Sequence, residues 1–444
     1  MSQFKLLRAR RFVPLFGTQF LGAFNDNVYK NALVILITFQ AATQGGRDSA
    51  MMVTIAAGIF ILPFFLFSAF AGQLADKYEK SVLIRRIKLA EIGIMVVGAT
   101  GFLTGNVSLL MAVLFLMGTQ SSAFGPLKYG ILPQHLTEDE LTGGNGLIQM
   151  GTFLAILVGT MLGGISVTVP DWGPRLTGAM VITLAVLGWW ASRSIPQAAA
   201  PEPALVVDWN VPRQTWRILG FARENRTVFL CIIGISWFWF IGATFLQLLP
   251  SFTRNTLGGN AHAVTLMLTA FSLGIGVGAM FCERLSKGRI EPGLVPLGAV
   301  GLSLFATVPF LVGAVPPVEM AGDTMRGISE LIADSQARWI LGGFIGLALF
   351  GGFYIVPLYA MLQTRSAVER RARIIAANNV MNALFMVCSA LLTMVLLGVG
   401  LEISEIFLAV AVLNVVVTTW VFLSAPEFLA RFSAWLRHLR QAEK

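Results

Sequence analysis

This 444-residue chain carries little charge: Asp, Glu, Lys and Arg make up 12% of it, about half of the roughly 25% usual in soluble domains. Once the apolar runs are set aside, no stretch of soluble-domain size remains. Cysteine is nearly absent. Cys231, Cys282 and Cys388 all fall in apolar runs, without metal-ligand spacing, and read as small hydrophobes. Histidine is as scarce, and His135 and His262, in or near loops, show no proton-relay spacing. No Gly-rich loop followed by Lys-Ser/Thr is present, which argues against an ATP-driven pump. There is no Ser/His/Asp arrangement and no acidic metal cluster, so no enzyme activity, metal or cofactor is expected. No cleavable signal peptide is evident, because the first apolar run continues into polar residues instead of a small-residue cleavage site.

What the chain has in abundance is apolar surface. Hydrophobic residues make up 56%, with 33 Phe, 17 Met and 45 Gly. Small residues let helices approach closely in lipid, so the composition is that of a polytopic, all-α membrane protein. A span needs about 20 apolar residues. Twelve such runs are readable, near 12–40, 50–75, 89–105, 108–132, 145–169 and 175–193, then 227–252, 263–285, 294–315, 338–362, 374–399 and 403–424. The Lys and Arg residues fall almost entirely in alternate loops, from Lys5–Arg11 and Lys77–Lys88 to Arg365–Arg373 and Arg431–Lys444, while Arg47, Arg175, Arg254, Arg326 and Arg338 lie opposite. By the positive-inside rule both termini are cytoplasmic. The +9 net charge therefore follows membrane topology and implies no nucleic-acid partner. Loop 133–144 holds Glu138, Asp139 and Glu140 on the basic side, but acidic residues weigh little in the rule.

The organisation reads as residues 1–193, a six-helix half; 194–226, a cytoplasmic linker; 227–424, a second six-helix half; and 425–444, a basic amphipathic tail. The linker opens with Pro196-Gln197-Ala198-Ala199-Ala200-Pro201-Glu202-Pro203 and becomes basic and amphipathic from Trp209 to Arg226, as an interfacial helix would. The long polar loop 316–337 faces outward. Span four has Pro126-Leu127-Lys128-Tyr129 followed by Asn145, and span ten has Pro357-Leu358-Tyr359-Ala360 followed by Asn378 and Asn379. Two related halves joined by a cytoplasmic linker is the major facilitator arrangement, with the substrate site near the midplane.

Charge inside the spans marks candidate sites, since each buried charge costs roughly 2.5–3.5 kcal/mol even on lenient insertion scales. Span one holds Asn25-Asp26-Asn27-Val28-Tyr29-Lys30-Asn31. Asp26 and Lys30, four apart, either pair and lock the helix or, with the flanking amides, face a polar cavity. Tyr29 points elsewhere on the helical wheel. Lys128 has no acidic neighbour within a turn. It meets a partner from another span, meets a ligand, or snorkels to the cytoplasmic surface. Gly125, Pro126 and Gly130 around it suggest a kinked, locally opened helix of the kind that lines a cavity. Lys88 and Glu91 read as interfacial, at the entry of span three. Gln149, Gln247, Asn378, Asn379 and Asn382 either line the cavity or bond between helices.

Gly72-Gln73-Leu74-Ala75-Asp76-Lys77-Tyr78-Glu79-Lys80, with Arg85 and Arg86 beyond, resembles the loop 2–3 signature of the major facilitator superfamily. Its role is gating: Gly72 allows close helix approach, and Asp76 can cap a neighbouring helix and pair with basic residues. Gly159-Thr160-Met161-Leu162-Gly163-Gly164 is similar to the Gly-rich motif of drug/proton antiporters, but Thr160 replaces the usual Pro, and small-residue packing is the preferred reading.

Phe16-Gly17-Thr18-Gln19-Phe20-Leu21-Gly22-Ala23-Phe24-Asn25-Asp26-Asn27, Gly125-Pro126-Leu127-Lys128-Tyr129-Gly130-Ile131-Leu132 and Gly351-Gly352-Phe353-Tyr354-Ile355-Val356-Pro357-Leu358 together resemble the bacterial lysophospholipid transporter (LplT) family, a branch of the major facilitator superfamily. The resemblance implies transport of lysophosphatidylethanolamine or lysophosphatidylglycerol to the cytoplasmic leaflet of the bacterial inner membrane. It also implies re-acylation there by a separate acyltransferase/acyl-carrier-protein synthetase. The expected site is Asp26 and Lys128 with Lys30, Asn25, Asn27, Tyr129, Gln247, Asn378 and Asn379, in a monomer. One departure stands out: the family carries a basic residue on span seven after Gly-Ala-Thr, and here Gly242-Ala243-Thr244 is followed by Phe245, Leu246 and Gln247. Two rival readings are a proton-coupled exporter of amphipathic drugs, for which Asp26 beside Lys30 is a poor proton carrier, and a membrane docking partner for a lipid acyltransferase.

Overall fold

A computed structural model describes residues 3–43, 49–312 and 325–442. The described residues are helical apart from turns, the irregular linker stretch 195–210 and an isolated bridge between Gly259 and Arg326. The helices are α1 (Val13–Thr43), α2 (Ser49–Lys77), α3 (Lys80–Thr104), α4 (Val107–His135), α5 (Glu138–Thr168), α6 (Gly173–Ser192), α7 (Val211–Glu224) and α8 (Arg226–Asn255). They continue with α9 (Ala261–Ser286), α10 (Leu294–Ala306), the short α11 (Val308–Leu311) and α12 (Ile328–Ala333), α13 (Ser335–Arg365), α14 (Arg371–Gly398), α15 (Ile403–Ser424) and α16 (Glu427–Ala442). Among the described residues, 11 segments are long and apolar enough to cross a membrane. The twelfth expected span, α1, falls outside that set because the Asn25–Asn31 cluster interrupts its apolar run. Of the loop 316–337, residues up to 324 lie outside the described residues, as do Arg47 and Lys444. The rest of that loop holds α12 and an Arg326–Asp334 ion pair of 2.9 Å.

Local chemistry sets the helix ends. Glu79 caps α3 by accepting from the Ser81 and Val82 amides at 2.9 and 2.8 Å, and Gly105 ends it in the left-handed region at φ 65°. Asn106, Asn210 and Asn260 cap α4, α7 and α9 through their side-chain oxygens. The helices run past the apolar stretches that announce them. α3 begins at Lys80, well before the apolar run at 89, and the consequence for Lys88 and Glu91 is described below. α4 stays helical through Pro126 and Pro133, so the expected local opening at Gly125–Gly130 does not occur. Those glycines serve close packing instead.

The chain divides into two compact units. The first comprises Met1–Thr137, Leu154–Asn225 and Gln363–Ala383, and the second Glu138–Phe153, Arg226–Leu362 and Leu384–Lys444. The first turns of α14 thus belong with α1–α4, and the first turns of α5 with α8–α10. In the first unit α1, α3, α4 and α6 enclose a core of Val28, Tyr29, Leu33, Met95, Phe102, Leu110 and Val181. Tyr29 is a packing residue here: its hydroxyl donates to the Leu110 carbonyl at 2.9 Å and its ring meets Phe102 edge-on. The second unit is aromatic. Phe245 stacks on Phe407 at 4.3 Å with Phe252 and Phe344 around them, and Asn414 joins Trp237, Ala299 and Ser303 by buried hydrogen bonds.

Candidate functional site

Helical periodicity sends the polar run of α1 to different neighbours. Asn25, fully buried, donates to Glu91 Oε1 on α3 at 3.0 Å. Asp26, half-buried, accepts from the Ser121 hydroxyl on α4 at 2.6 Å. Asn27 turns back on its own helix, donating to the Ala23 carbonyl at 2.7 Å. Asn31 donates to the Thr160 carbonyl on α5 at 2.6 Å. The close approach of α5 depends on glycine, since a Cβ on Gly159 or Gly163 would overlap the carbonyls of Phe24 and Val28. The Gly-rich stretch of α5 therefore packs against the polar turns of α1.

The Asp26–Lys30 pair that i,i+4 spacing allows does not form. Ser121 holds the carboxylate, and the Lys30 ammonium sits 4.5 Å from the centre of the Phe60 ring. A different buried pair exists. Lys88 Nζ and Glu91 Oε2 lie 2.6 Å apart with side chains 1% and 2% exposed. The interfacial placement expected from the sequence is thereby corrected: because α3 starts at Lys80, Lys88 lies in its third turn, inside the bundle. Gly22 leaves room for the ammonium, which a Cβ there would overlap, and the Phe124 ring faces it at 4.9 Å. A buried ion pair is tolerated only with good geometry and further hydrogen bonds, and Asn25 supplies one. Lys128 is half-buried with its Nζ 4.6 Å from the Tyr129 ring centre. Neither Lys30 nor Lys128 has a carboxylate at ion-pair distance among the described residues. Ser121, Gly125 and Lys128 recur along one face of α4.

Asn379, on α14, brings its amide against Gly125, where a Cβ would overlap it. Its neighbour Asn378 is fully buried with both amide atoms unpartnered. Tyr129 is buried, and Gln247 lies exposed on α8 in the second unit.

A second constellation lies where α2 ends. Asp76, fully buried, accepts from the Ala372 and Arg373 amides at the start of α14, at 3.0 and 3.2 Å, and from Arg373 Nε at 3.0 Å. The carboxylate thus caps a helix N-terminus and neutralises a buried guanidinium. Gly72 allows this approach, with Ala376 and Arg373 of α14 against it. Arg373 also pairs with Glu202 of the linker. The linker is strapped down along its length: Gln73 exchanges two hydrogen bonds with the Asp208 backbone, Glu202 N donates to the Asp76 carbonyl at 2.9 Å, and Ala198 N to Glu79 at 2.7 Å. Burial opposes the Glu79 charge, but hydrogen bonds from Ala198, Ser81 and Val82 outweigh it and hold the carboxyl below the usual glutamate value. Arg85 bonds to Ser81 and the Ile195 carbonyl. Lys77 rests by Tyr78, and Arg86 is exposed.

Sequence reasoning missed Lys88, Glu91 and Ser121 in the first constellation and Arg373, Glu202 and Glu79 in the second. The i,i+3 spacing of Lys88 and Glu91 was the available signal. Nothing local marks Arg373 as the partner of Asp76.

Comparison with known proteins follows the same architecture. The profile of the Major Facilitator Superfamily matches residues 15–327. The chain is similar to the lysophospholipid transporter LplT of Salmonella newport (strain SL254) and of Salmonella agona (strain SL483), each 29% identical over 360 residues, covering 78% of this chain and 78% of the relative. Its fold is similar to that of the human organic anion transporter MFSD10 (TETRAN), with a TM-score of 0.65 at 16% identity over 96% of this chain and 99% of that one. It is also similar to a bacterial homologue of the iron transporter ferroportin in an outward-facing state, with a TM-score of 0.63 at 14% identity over 94% and 99%. Identity at that level speaks for fold alone. With the profile spanning most of its membrane helices, the chain belongs to the Major Facilitator Superfamily.

Proposed function

We propose that this protein moves lysophospholipids, lysophosphatidylethanolamine or lysophosphatidylglycerol, to the cytoplasmic leaflet of the bacterial inner membrane. The observation that carries this reading is Lys128, a half-buried ammonium about two turns inside the end of α4, with no carboxylate at ion-pair distance among the described residues, on the face that also binds Asp26 through Ser121. A lysophospholipid brings a phosphate, a small polar headgroup and one acyl chain. The ammonium suits the phosphate as a point charge. Asp26, fixed by Ser121 and tuned by Lys30, suits headgroup ammonium or hydroxyl donors. Phe60, beside Lys30, offers an apolar ring on which an acyl chain can lie. The name of the Salmonella relatives supports the same substrate class.

Transport proceeds by alternating access, with the halves 1–193 and 227–424 rocking about the site. The contact of Asp76 with α14, with Gly72, Lys77, Arg85 and Arg86 around it, acts as a gate on the cytoplasmic side, the side to which the basic loops assign both termini. The linker 194–226 and tail 425–444 lie along that leaflet. The protein works as a monomer and hands its cargo to a separate acyltransferase/acyl-carrier-protein synthetase. The test is movement of labelled lysophosphatidylethanolamine in proteoliposomes. Wild type should move it faster than protein-free vesicles, and Lys128→Ala should not. Folded wild type without movement would turn attention to amphipathic drugs.

A further inference from the structure

Five ionisable side chains lie within the membrane helices of the first unit, about two turns or more from the helix ends: Asp26 and Lys30 on α1, Lys88 and Glu91 on α3, and Lys128 on α4. They form one connected group. Asp26 lies within Coulombic reach of Glu91, Lys30 and Lys88, and Lys128 within reach of Lys88 and Asp26. Their neighbours in the polar network, Asn25, Asn27, Asn31 and Ser121, are neutral. The other carboxylates of this unit, such as Asp76, Glu79 and Glu202, lie at helix ends and in the linker. Counted as ionised, three ammonium groups stand against two carboxylates, a formal excess of one positive charge. Lys30 and Lys128 rest against the rings of Phe60 and Tyr129, which offer only weak compensation. In the second unit the described membrane helices carry charge only near their ends, and α8 has Phe245, Leu246 and Gln247 where a further charge could have stood.

We infer that this site selects lysophospholipids whose headgroup is net negative, a phosphate bearing an uncharged polyol, over zwitterionic ones, and that the buried Lys88–Glu91 pair sets the charge it selects. The inference rests on the lysophospholipid reading above. An unmatched charge at membrane depth is costly. A headgroup of net charge −1 cancels it. A zwitterion brings its own ammonium and leaves the excess in place. Lys88 and Glu91 count in this sum although neither is exposed enough to touch cargo, because Coulomb interactions are long-ranged where water is excluded. They are positioning residues, acting on the cargo through the field around Asp26 and Lys128.

The experiment compares initial rates of labelled lysophosphatidylglycerol and lysophosphatidylethanolamine in proteoliposomes of uncharged phosphatidylcholine. Wild type should favour the anionic lipid by roughly tenfold, the effect of one unit charge at about 10 Å in a medium of effective dielectric about 20. Lys88→Met, which brings the group to zero, should abolish the preference, and Glu91→Gln should enlarge it. The double variant Lys88→Met/Glu91→Gln restores the excess of one and should return the wild-type ratio, which a purely structural role of the pair would not do. Replacing both members of a buried pair is usually tolerated, so the double variant controls for packing, and if Lys88→Met misfolds Glu91→Gln carries the test: a ratio that it leaves unmoved would equally overturn the inference. Equal rates in wild type, preference for the zwitterion, or a ratio that Lys88→Met leaves unmoved would overturn the inference. If folded wild type moves neither lipid, the lysophospholipid reading itself fails and takes this inference with it.

Discussion

Arg373→Ala should release α14 from the end of α2. Asp76 is fully buried and Arg373 is 5% exposed, with 3.0 Å between Oδ2 and Nε. Removing one member of a buried ion pair costs about 3–5 kcal/mol, because the other charge is left without its partner. Asp76 keeps its two backbone donors, Ala372 and Arg373 N, so the lower end of that range applies. Glu202 is 36% exposed and its share is small, as for other solvent-screened pairs. A loss of about 3 kcal/mol raises the population in which this contact is open roughly a hundredfold. Ala376 reports on it, being fully buried with its Cβ against Gly72. In an Ala376→Cys, Cys388→Ser background, where the remaining Cys231 and Cys282 are buried, a polar maleimide should label the Arg373→Ala protein about a hundred times faster than its parent. Labelling within threefold of the parent would refute the idea that the Asp76–Arg373 contact holds these helices together.

Two further outcomes follow from the geometry. Gly163→Leu should destabilise the fold by the overpacking cost of about 1–3 kcal/mol and so lower the unfolding temperature, because the new side chain meets the backbone of Val28, which cannot rotate away; an unchanged transition would contradict the packing of α5 on α1. Glu79, with its carboxyl held below the usual value, contributes stability that is complete above the ordinary glutamate pKa of about 4.3 and is lost as pH falls through the lower folded value. Protection of the Ala198 amide against hydrogen exchange, taken relative to an unstructured amide at the same pH, should therefore be lost only in acid. Glu79→Gln should remove that step, and an unaltered acid profile in the variant would count against the strap.

Twelve spans and the polar cluster of α1 were legible because hydropathy and charge in apolar runs are local properties. Lys88 and Glu91 were misplaced for a related reason. Their own charge lowers local hydropathy, so the apolar run appears to start at 89, whereas the helix starts at Lys80 and burial is decided by Gly22, Asn25 and Phe124 on other helices. Spacing of four allowed Asp26 to meet Lys30, but spacing shows only that two side chains share a face. Ser121, 95 residues away, takes the carboxylate instead. Arg373 looked like any basic loop residue, and its pairing with Asp76 spans 297 positions, a relation that no local pattern carries. Gln247, a candidate because an amide on span seven could line a cavity, lies exposed on α8 in the second unit.

The central claim is that the Lys128 ammonium meets the phosphate of a lysophospholipid within the membrane. The most direct measurement is the initial rate of labelled lysophosphatidylglycerol movement in proteoliposomes for wild type, Lys128→Arg and Lys128→Ala, with equal amounts of folded protein. The account predicts rapid movement by wild type, partial movement by the variant that keeps the charge, and the protein-free rate for Lys128→Ala. Movement by Lys128→Ala at the wild-type rate would contradict it.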